Sequence, residues 1–483
     1  MDERAIRGVP WTLAAYGANK AGTLVTTVAL ARFLDPGDFG LIALAGLVVT
    51  LLTVLGNSGL SNALVLDQTL TERGKGTILT VMLGGGCLLA ALGVALSPLV
   101  ADLFDEPELT AVIAALSLTV VLWMAGYFYE AILQRELEFR ARFFAHLAFG
   151  LAFTAAGLLS AVLGAGVWSL VAAQSVAILA FALVGWALAP GRVRPAFDLA
   201  AARSVYRPSR NFLTQGIVAF GLENADYFAI GRALGVRQLG FYSLAYRLGD
   251  LPSMAVADPV ARVTFSAFAQ MRHRGEDVIP AYLDALRLVA LVACPLGILL
   301  SATADPFTRT VFGGEWLPMI GPLAVLGLWA AVRPVLVTVH WLLNSAGGHG
   351  ILAAIGVVSL IVLVPLLLVA AAAGGATAVA WVMLGHVCAS TAWAAWAVRR
   401  HVGLALGTHL VALRALALAC AAAWLAARLL VEVSEGAAPG LSLLLAACAG
   451  ATAYLGVLRV VDPSVLGDAV RQLRRMRGRP APR

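Results

Sequence analysis

Long apolar segments follow one another along almost the whole chain, and they restrict its fold more than any other feature. A helix needs ~20 apolar residues to cross the ~30 Å hydrocarbon core of a bilayer. The expected spans are 10–33, 41–65, 77–101, 109–131, 143–164, 167–189, 211–234, 240–263, 284–303, 320–345, 350–372, 376–397, 410–431 and 441–458. We therefore predict an all-α, polytopic membrane protein with about 14 transmembrane helices and no inserted soluble domain.

The composition excludes several classes of protein. Of the 483 residues, 60% are hydrophobic and 13% are charged, about half the usual ~25% share of charged residues. A soluble enzyme, a disordered chain and a secreted disulfide scaffold are therefore excluded. The five cysteines lie in apolar segments without a CxxC pair, so we interpret them as packing residues. The first apolar run is too long for a cleavable signal peptide and is expected to remain as an anchor.

The distribution of basic residues predicts the orientation of the chain. With the N-terminus in the cytoplasm, most of the 34 Lys and Arg residues fall in inner loops and tails, as the positive-inside rule requires. An even number of spans then places both termini in the cytoplasm. The basic tail at 459–483 is expected to lie against anionic membrane lipids, and no nucleic-acid partner is expected.

An internal repeat relates the two halves of the chain. Residues 31–47 (ARFLDPGDFGLIALAGL) resemble residues 231–247 (GRALGVRQLGFYSLAYR) at an offset of 200. Each segment closes one span and opens the next, which predicts two parallel six-helix lobes related by an axis along the membrane normal. Chance similarity between two helix–turn–helix corners is the alternative. The predicted organisation is an N-terminal lobe at 1–189, a cytoplasmic linker at 190–210, a C-terminal lobe at 211–397, an additional helix pair at 398–458 and the basic tail at 459–483.

Polar side chains recur at helical spacing in spans 10–33, 41–65, 211–234, 240–263 and 320–345. A charge at the bilayer centre costs at least ~2.5–3.5 kcal/mol on insertion scales, so such residues usually face a cavity or a partner. Because these spans come from both halves, they favour one shared polar chamber, whose basic members suit an anionic ligand. The candidate substrate-binding residues are Lys20, Arg247, Arg333, Tyr16 and Asn57, and the candidate ion-coupling residues are Glu223, Asp226 and Asp250.

The alternative is that these charges neutralise one another within or between helices. Pairs three or four residues apart lie on the same helix face and can form ion pairs. The pairs to consider are Arg247 with Asp250, Asp258 with Arg262, and Glu223 or Asp226 with Lys20 or Arg333.

Glycines, prolines and isolated histidines are interpreted structurally. Gly56 and Gly59 are expected to loosen the second span, and Pro252 and Pro259 to kink the eighth. The GG pair at 374–375 predicts a tight turn. No HExxH, GxSxG or Walker motif accompanies the histidines, which predicts no catalytic residue and no metal site. The histidines interpreted as satisfied helix-interface residues are His146, His340 and His386.

Several motifs, taken in order, resemble the polysaccharide-transporter branch of the multidrug/oligosaccharidyl-lipid/polysaccharide (MOP) exporter superfamily. They are ARFLDPGDFG at 31–40, GNSGLSNAL at 56–64, ADLFDEPEL at 101–109, LQRELEFR at 133–140, LGFYSLAYRLGDLP at 239–252 and FGGEW at 312–316. This branch comprises the Wzx-type flippases, and the chain is most similar to the exopolysaccharide or colanic-acid export type.

The resemblance implies a bacterial inner-membrane protein with an inverted-V arrangement of two six-helix lobes around a cavity. It implies a substrate of oligosaccharide repeat units on undecaprenyl diphosphate, with a polysaccharide polymerase and export machinery as further partners. Related lipid II flippases hold the diphosphate with cations that match Lys20 and Arg247 by position. Related proteins place a coupling cation on the second lobe, for which Glu223 and Asp226 are the positional candidates.

These observations predict a flippase that works by alternating access, with no enzymatic step, no cofactor, and Na⁺ or H⁺ as the coupling ion. A lipid II-type flippase or a drug/cation antiporter of the same superfamily is the first alternative. The basic candidates argue against cationic drugs as ligands. A membrane polysaccharide polymerase or ligase is the second alternative, although the longest outer segment, near 304–319, offers no recognisable catalytic constellation.

Overall fold

The computed structural model describes residues 22–463, except 24, 58, 68 and part of 258–273, where only 260, 264, 268 and 271 are described. The side chains of 200, 201 and 204–212 are also outside the description. The described part is helical and contains no strand. Two compact units are present, Met1–Ser243 and Leu244–Arg483.

The helices of the first unit are mostly long and apolar enough to cross a bilayer. They are α1 (Pro36–Asn57), α2 (Leu60–Leu66), α3 (Glu72–Phe104), α4 (Glu108–Arg135), α5 (Phe139–Val162), α6 (Trp168–Leu188) and α7 (Leu199–Leu234), followed by the start of α8 (Val236–Pro252). The predicted second span is broken between α1 and α2, where Gly59 adopts a left-handed φ of 78°. This conformation favours glycine, and it explains why the sequence places one there.

Arg135 secures the short helix beyond this break. Its side chain is only 6% exposed, and one guanidinium nitrogen donates to the carbonyl oxygens of Leu64 at 2.9 Å and Asp67 at 2.6 Å. The last carbonyls of a helix have no partner within the helix, so a basic side chain there satisfies them.

The repeat of the sequence reappears as a reciprocal contact between α1 and α8. A Cβ added at Gly40 would collide with the carbonyl oxygen of Val236, and one added at Gly240 would collide with that of Pro36. Both pairs are separated by the offset of the sequence repeat. Equivalent residues contact each other in this way when two elements are related by a two-fold axis. Only glycine at these two positions lets the helices approach backbone to backbone.

The second unit contains the rest of α8, a π-helical turn at Ser253–Ala257 and six further helices. They are α9 (Ile279–Ala302), α10 (Ala304–Val311), α11 (Ile320–Ser345), α12 (His349–Val402), α13 (Leu406–Val433) and α14 (Pro439–Val461), with a 3₁₀ turn at Gly314–Met319 before α11. Gly375 interrupts α12 with a φ of 69° and a ψ of −165°. The turn predicted at 374–375 is therefore confirmed, and α12 comprises two predicted spans.

Ten helices in the described part are long and apolar enough to cross a membrane, one of them α12 with its two spans. The all-α, multi-spanning fold is thus confirmed, whereas the count of fourteen stays a prediction. The predicted spans at 211–234 and 240–263 fall on α7 and α8, which are not among these ten helices, and the described α8 has only 17 residues. The first predicted span lies largely outside the described residues.

The region predicted as a linker contains both irregular and helical backbone. Residues 192–198 are neither helix nor strand, and α7 begins at Leu199, so helix occupies much of 190–210. The compact units divide after Ser243. The physical reason is packing, since the end of α7 and the start of α8 lie against α1 through Gly231 and Gly240.

Candidate functional site

Two of the predicted substrate-binding residues, Tyr16 and Lys20, lie outside the described residues. A third, Asn57, ends α1 beside the break at Gly59. Its side-chain oxygen accepts hydrogen bonds from the backbone nitrogen of Ser61 at 3.2 Å and from the Ser61 hydroxyl at 2.8 Å. Asn57 therefore stabilises the start of α2, as a capping side chain does.

The structure brings Arg333 and Asp250 together from α11 and α8. The guanidinium of Arg333 donates to Asp250 Oδ1 at 2.5 Å and approaches the Tyr246 hydroxyl at 3.4 Å. The same guanidinium lies 4.7 Å from the ring centroid of Trp329, which is one helical turn earlier on α11. The Asp250 side chain is 8% exposed and that of Arg333 is 22% exposed. Ion pairing and a cation–π contact together offset the cost of placing Arg333 in a span.

Arg247 does not form the pair with Asp250 that the sequence alternative suggested. Among the described residues, no ion pair or hydrogen bond of Arg247 is present, and its side chain is half-buried. The interpretation based on i,i+3 spacing is wrong here because Asp250 is paired with Arg333 on the neighbouring helix α11. The alternative pair Asp258 with Arg262 lies outside the described residues. Arg247 is thus a cation in a predicted span that no described carboxylate neutralises.

The helix that carries Arg247 and Asp250 changes geometry immediately after them. α8 ends at Pro252, and a π-helical turn occupies Ser253–Ala257. The kink expected at Pro252 stays a prediction, although the helix changes from α to π geometry directly after this residue, and Pro259 lies outside the described residues. π-helical turns occur frequently at functional sites, because they reposition the side chains around them.

Asp226, a predicted ion-coupling residue, is fully buried on α7. Its Oδ2 accepts the Tyr242 hydroxyl at 2.8 Å, and its Oδ1 accepts the backbone nitrogen of Tyr227 at 2.9 Å. Glu223, one turn earlier, is exposed. Each Asp226 oxygen thus faces a hydrogen-bond donor, and the described residues include no group of three His, Cys, Asp or Glu side chains suited to a metal ion. The role of Asp226 in ion coupling stays a prediction.

A charged cluster that the sequence analysis missed lies between α4 and α5. Glu130 Oε1 accepts a hydrogen bond from Arg142 at 2.9 Å and lies 3.2 Å from His146 Nε2. Arg142 and His146 are four residues apart on one face of α5, which was a visible signal. Glu130, however, is distant in sequence, and only the fold brings it to them.

The predictions for the three isolated histidines have different outcomes. His146 contacts Glu130 of the neighbouring helix α4, as predicted, whereas the contact of His386 is with the Ser390 hydroxyl of its own helix, at 3.2 Å. The prediction for His340 is wrong, because its Nε2 is buried without a hydrogen-bond partner in the described part of the protein.

Comparisons with known proteins identify the family of this chain. A family model described as "Polysaccharide biosynthesis protein" matches residues 29–321. The lipopolysaccharide biosynthesis protein WzxC of Escherichia coli (strain K12) is 26% identical over 348 residues, 68% of each chain. The succinoglycan biosynthesis transport protein ExoT of Rhizobium meliloti (strain 1021) is 30% identical over 324 residues, covering 66% of this chain and 65% of its own length. The teichuronic acid biosynthesis protein TuaB of Bacillus subtilis (strain 168) is 29% identical over 280 residues, covering 56% of this chain and 57% of its own length.

Solved structures share the fold at low sequence identity. The lipid II flippase MurJ, in an inward closed conformation, superposes with a TM-score of 0.78 at 12% identity, covering 94% of this chain and 99% of its own. An inward-facing MATE multidrug transporter of the MOP superfamily gives a TM-score of 0.63 at 14% identity, covering 81% of this chain and 96% of its own. The fold is therefore that of MurJ and MATE transporters. Because the family model matches more than half of the sequence, this chain belongs to the polysaccharide biosynthesis protein family.

Proposed function

We propose that this protein is a flippase that moves undecaprenyl-diphosphate-linked oligosaccharide repeat units across the bacterial inner membrane for surface polysaccharide biosynthesis. The family membership and the biosynthetic and transport roles of WzxC and ExoT support this activity, and the MurJ-like fold suits alternating access. The proposal places both termini in the cytoplasm. It includes no covalent step, and it makes a polysaccharide polymerase and export machinery the downstream partners.

The observation that carries the proposal is the state of Arg247. It is a cation within a predicted span, and no described side chain neutralises it. Leaving a charge in this environment costs at least ~2.5–3.5 kcal/mol, so a ligand that supplies a counter-charge gains most of that energy on binding. A lipid diphosphate is such a ligand. Lys20 is proposed as the second cation for the diphosphate, on the strength of its position in the first predicted span.

Arg333 is proposed as a third, conditional contact. In the structure its guanidinium is paired with Asp250 and stacked on Trp329. A phosphate oxygen that approaches Arg333 would compete with the Asp250 carboxylate for the same N–H groups. Binding is then moderate rather than tight, and moderate binding is what a transporter needs if it must also release its substrate.

The experiment is a flipping assay in proteoliposomes. Fluorescent undecaprenyl-diphosphate oligosaccharide is incorporated into both leaflets, and an enzyme or quencher added outside reports how much becomes accessible with time. We expect accessibility well above that of protein-free liposomes. Accessibility equal to the protein-free control, with correctly folded protein in the membrane, would contradict the proposal.

Drug/cation antiport is the rival activity, because MATE transporters share the fold. A drug-sensitivity panel in a strain that lacks its own efflux pumps separates the two activities. We expect no change in resistance to cationic drugs. Arg247, the charged side chain on α8 that no described carboxylate neutralises, is basic and would repel a cationic drug. Resistance to such drugs without lipid flipping would favour the antiporter.

A further inference from the structure

The corner between α12 and α13 in the second unit carries basic side chains and no acidic ones. Arg399 and Arg400 occupy the last turn of α12, and Arg414 lies on α13, eight residues after that helix begins. No Asp or Glu occurs in the sequence between Glu315 and Glu432. Both helices are long and apolar enough to cross a membrane, so the corner that joins them lies at a membrane surface.

Core packing fixes the position of this corner. Gly403 ends α12 with a left-handed φ of 80°, and the next residue, Leu404, is buried among side chains of α9, α11 and α12. Because one side of the last turns of α12 is buried in this core, the other side, with Trp396, Arg399 and Arg400, is exposed. The fold itself therefore holds these basic side chains at the surface.

Arg400 is stacked on a tryptophan at this surface. Its guanidinium lies 4.5 Å from the ring centroid of Trp396, one turn earlier on α12, and Trp396 is itself 41% exposed. Side chains lean toward the N-terminus of their helix, so Arg400 reaches back along α12 toward the membrane interior. Its side chain forms no hydrogen bond or ion pair with the described residues. The stacked guanidinium is thus held in place with its N–H groups available to an acceptor such as a phosphate.

Arg414 lies on an apolar, exposed face of α13. Leu410, Val411 and Leu418 surround it and are 74%, 56% and 57% exposed, which is typical of a face that contacts acyl chains. At 1.5 Å per residue, Arg414 is ~12 Å from the start of α13, deeper than the ~5–8 Å polar layer of a bilayer. A long basic side chain at that depth extends to the headgroups. Because α13 begins at the corner, the lean toward the helix N-terminus directs Arg414 to the headgroup level beside the corner.

No described carboxylate neutralises the cations of the corner. Arg399, Arg400 and Arg414 form no ion pair with any residue that the structure describes. The helix α9, which packs against α13, carries the exposed Asp284 and the half-buried Arg287 three residues later, so it adds no net negative charge. The corner therefore combines three uncompensated positive charges with an exposed apolar surface.

We propose that the corner between α12 and α13 binds an anionic phospholipid. Arg400 and Arg414 contact the headgroup phosphate, and the acyl chains lie along the apolar face of α13 that includes Leu410 and Leu418. Guanidinium groups suit phosphate oxygens, and basic pockets between transmembrane helices at a membrane surface bind anionic headgroups. The apolar face selects a lipid over a soluble anion, which gains nothing from that face. The site involves neither Arg247 nor the transported substrate, so it does not depend on the proposed function.

The test measures how phosphatidylglycerol protects the purified protein against thermal unfolding in mixed micelles of detergent and lipid. The quantity compared is the mole fraction of lipid that gives half of the full shift in melting midpoint. Phosphatidylcholine with the same acyl chains is the neutral control, and glycerol phosphate is the free headgroup. We expect a saturable shift with phosphatidylglycerol, a much smaller one with phosphatidylcholine and none with glycerol phosphate. An equal shift with phosphatidylcholine, or full protection by glycerol phosphate alone, would overturn the proposal.

Variants at the corner locate the site. Arg400→Ala and Arg414→Ala are compared with Arg428→Ala, a matched control at the other end of α13, where Arg428 is paired with Glu432. Each corner variant is expected to need about fivefold more phosphatidylglycerol, which corresponds to ~1 kcal/mol for one basic residue near an anionic surface. The double variant should no longer distinguish the two lipids, whereas Arg428→Ala should behave as wild type. Half-saturation of the double variant at the wild-type mole fraction would overturn the proposal.

Native mass spectrometry supplies a second readout that does not depend on the stability of the variants. The protein is released from micelles that contain phosphatidylglycerol, and the number of lipids that stay bound is counted. We expect the Arg400→Ala/Arg414→Ala double variant to retain one phosphatidylglycerol fewer than wild type and than Arg428→Ala. Equal numbers of retained lipids in all three proteins would contradict a site at this corner.

Discussion

Gly40 on α1 and Gly240 on α8 lie against each other's helices, each where a Cβ would strike a backbone carbonyl of the other helix. The first prediction concerns this crossing. Gly240→Ala is expected to lower the free energy of unfolding by about 1–3 kcal/mol, the usual cost of overpacking, because backbone atoms cannot move aside as a flexible side chain can. Thermal unfolding in detergent, followed by intrinsic fluorescence, measures the change.

The control for this prediction is Gly46→Ala on the same α1, where an added Cβ meets nothing within 4 Å. Alanine there should leave the protein equally or more stable, since it is the better helix former. Equal melting midpoints for the Gly240 and Gly46 variants would mean that the crossing is not close in solution.

The ion pair between Asp250 and Arg333 gives the second prediction. Asp250→Asn and Arg333→Gln each leave one buried charge without its partner, whereas the double variant leaves neither. The sum of the losses of unfolding free energy in the two single variants should therefore exceed the loss in the double variant by ~1 kcal/mol or more, as in other directly contacting pairs. A double-mutant cycle of denaturation measurements checks this. Strictly additive losses would show that the two side chains do not interact.

The connection between α2 and α3 gives a pH-dependent prediction. The Thr69 hydroxyl donates to Asp67 Oδ1 at 2.6 Å and the Thr69 backbone nitrogen donates to it at 2.9 Å. The bond from the hydroxyl makes the largest contribution and the bond from the backbone nitrogen the next largest, and together they hold the pKa of the Asp67 carboxyl below its usual value. A lowered pKa means that the charged form is favoured in the folded state, so the stabilisation is complete above the ordinary aspartate pKa and is lost below it.

Asp67→Asn should accordingly melt below wild type at pH 7, with the difference between them shrinking as the pH falls below about 4. Thr69→Val keeps the carboxylate but removes the hydroxyl donor, and it should show a smaller pH dependence than wild type. Melting curves between pH 7 and pH 3 test both variants. A gap between wild type and Asp67→Asn that stays constant over this range would contradict the assignment.

Much of the fold was predictable because apolar length is a local property of the sequence. The span predicted at 320–345 is the helix Ile320–Ser345, and the turn predicted at 374–375 is present. The span predicted at 41–65 is instead two helices that part at Gly59. The predicted resemblance to polysaccharide transporters is also confirmed, because the chain belongs to the polysaccharide biosynthesis protein family and is similar to the transport protein ExoT. The predicted spans at 211–234 and 240–263 fall on the helices α7 and α8, although these helices also carry several charged residues.

The candidate site was less predictable, because its contacts depend on which helices pack together. The spacing of Arg247 and Asp250 indicated a pair along one helix, but Asp250 bonds to Arg333 across an interface. The contact of Glu130 with Arg142 and His146 was not predicted, because these two partners lie on the next helix, beyond the α4–α5 corner. A helical wheel places side chains on a face, but it does not show which other helix that face contacts.

The central claim is that Arg247 binds the diphosphate of the lipid substrate. Its most direct test is the affinity of purified protein for undecaprenyl diphosphate, comparing Arg247→Ala and Arg247→Lys with Arg309→Ala, which removes an exposed arginine paired with Asp305 on α10. A lost charged hydrogen bond of ~1.5–3 kcal/mol corresponds to about 10- to 100-fold weaker binding for Arg247→Ala. We predict that loss, with partial retention by Arg247→Lys and wild-type affinity for Arg309→Ala. Wild-type affinity in Arg247→Ala would contradict the account.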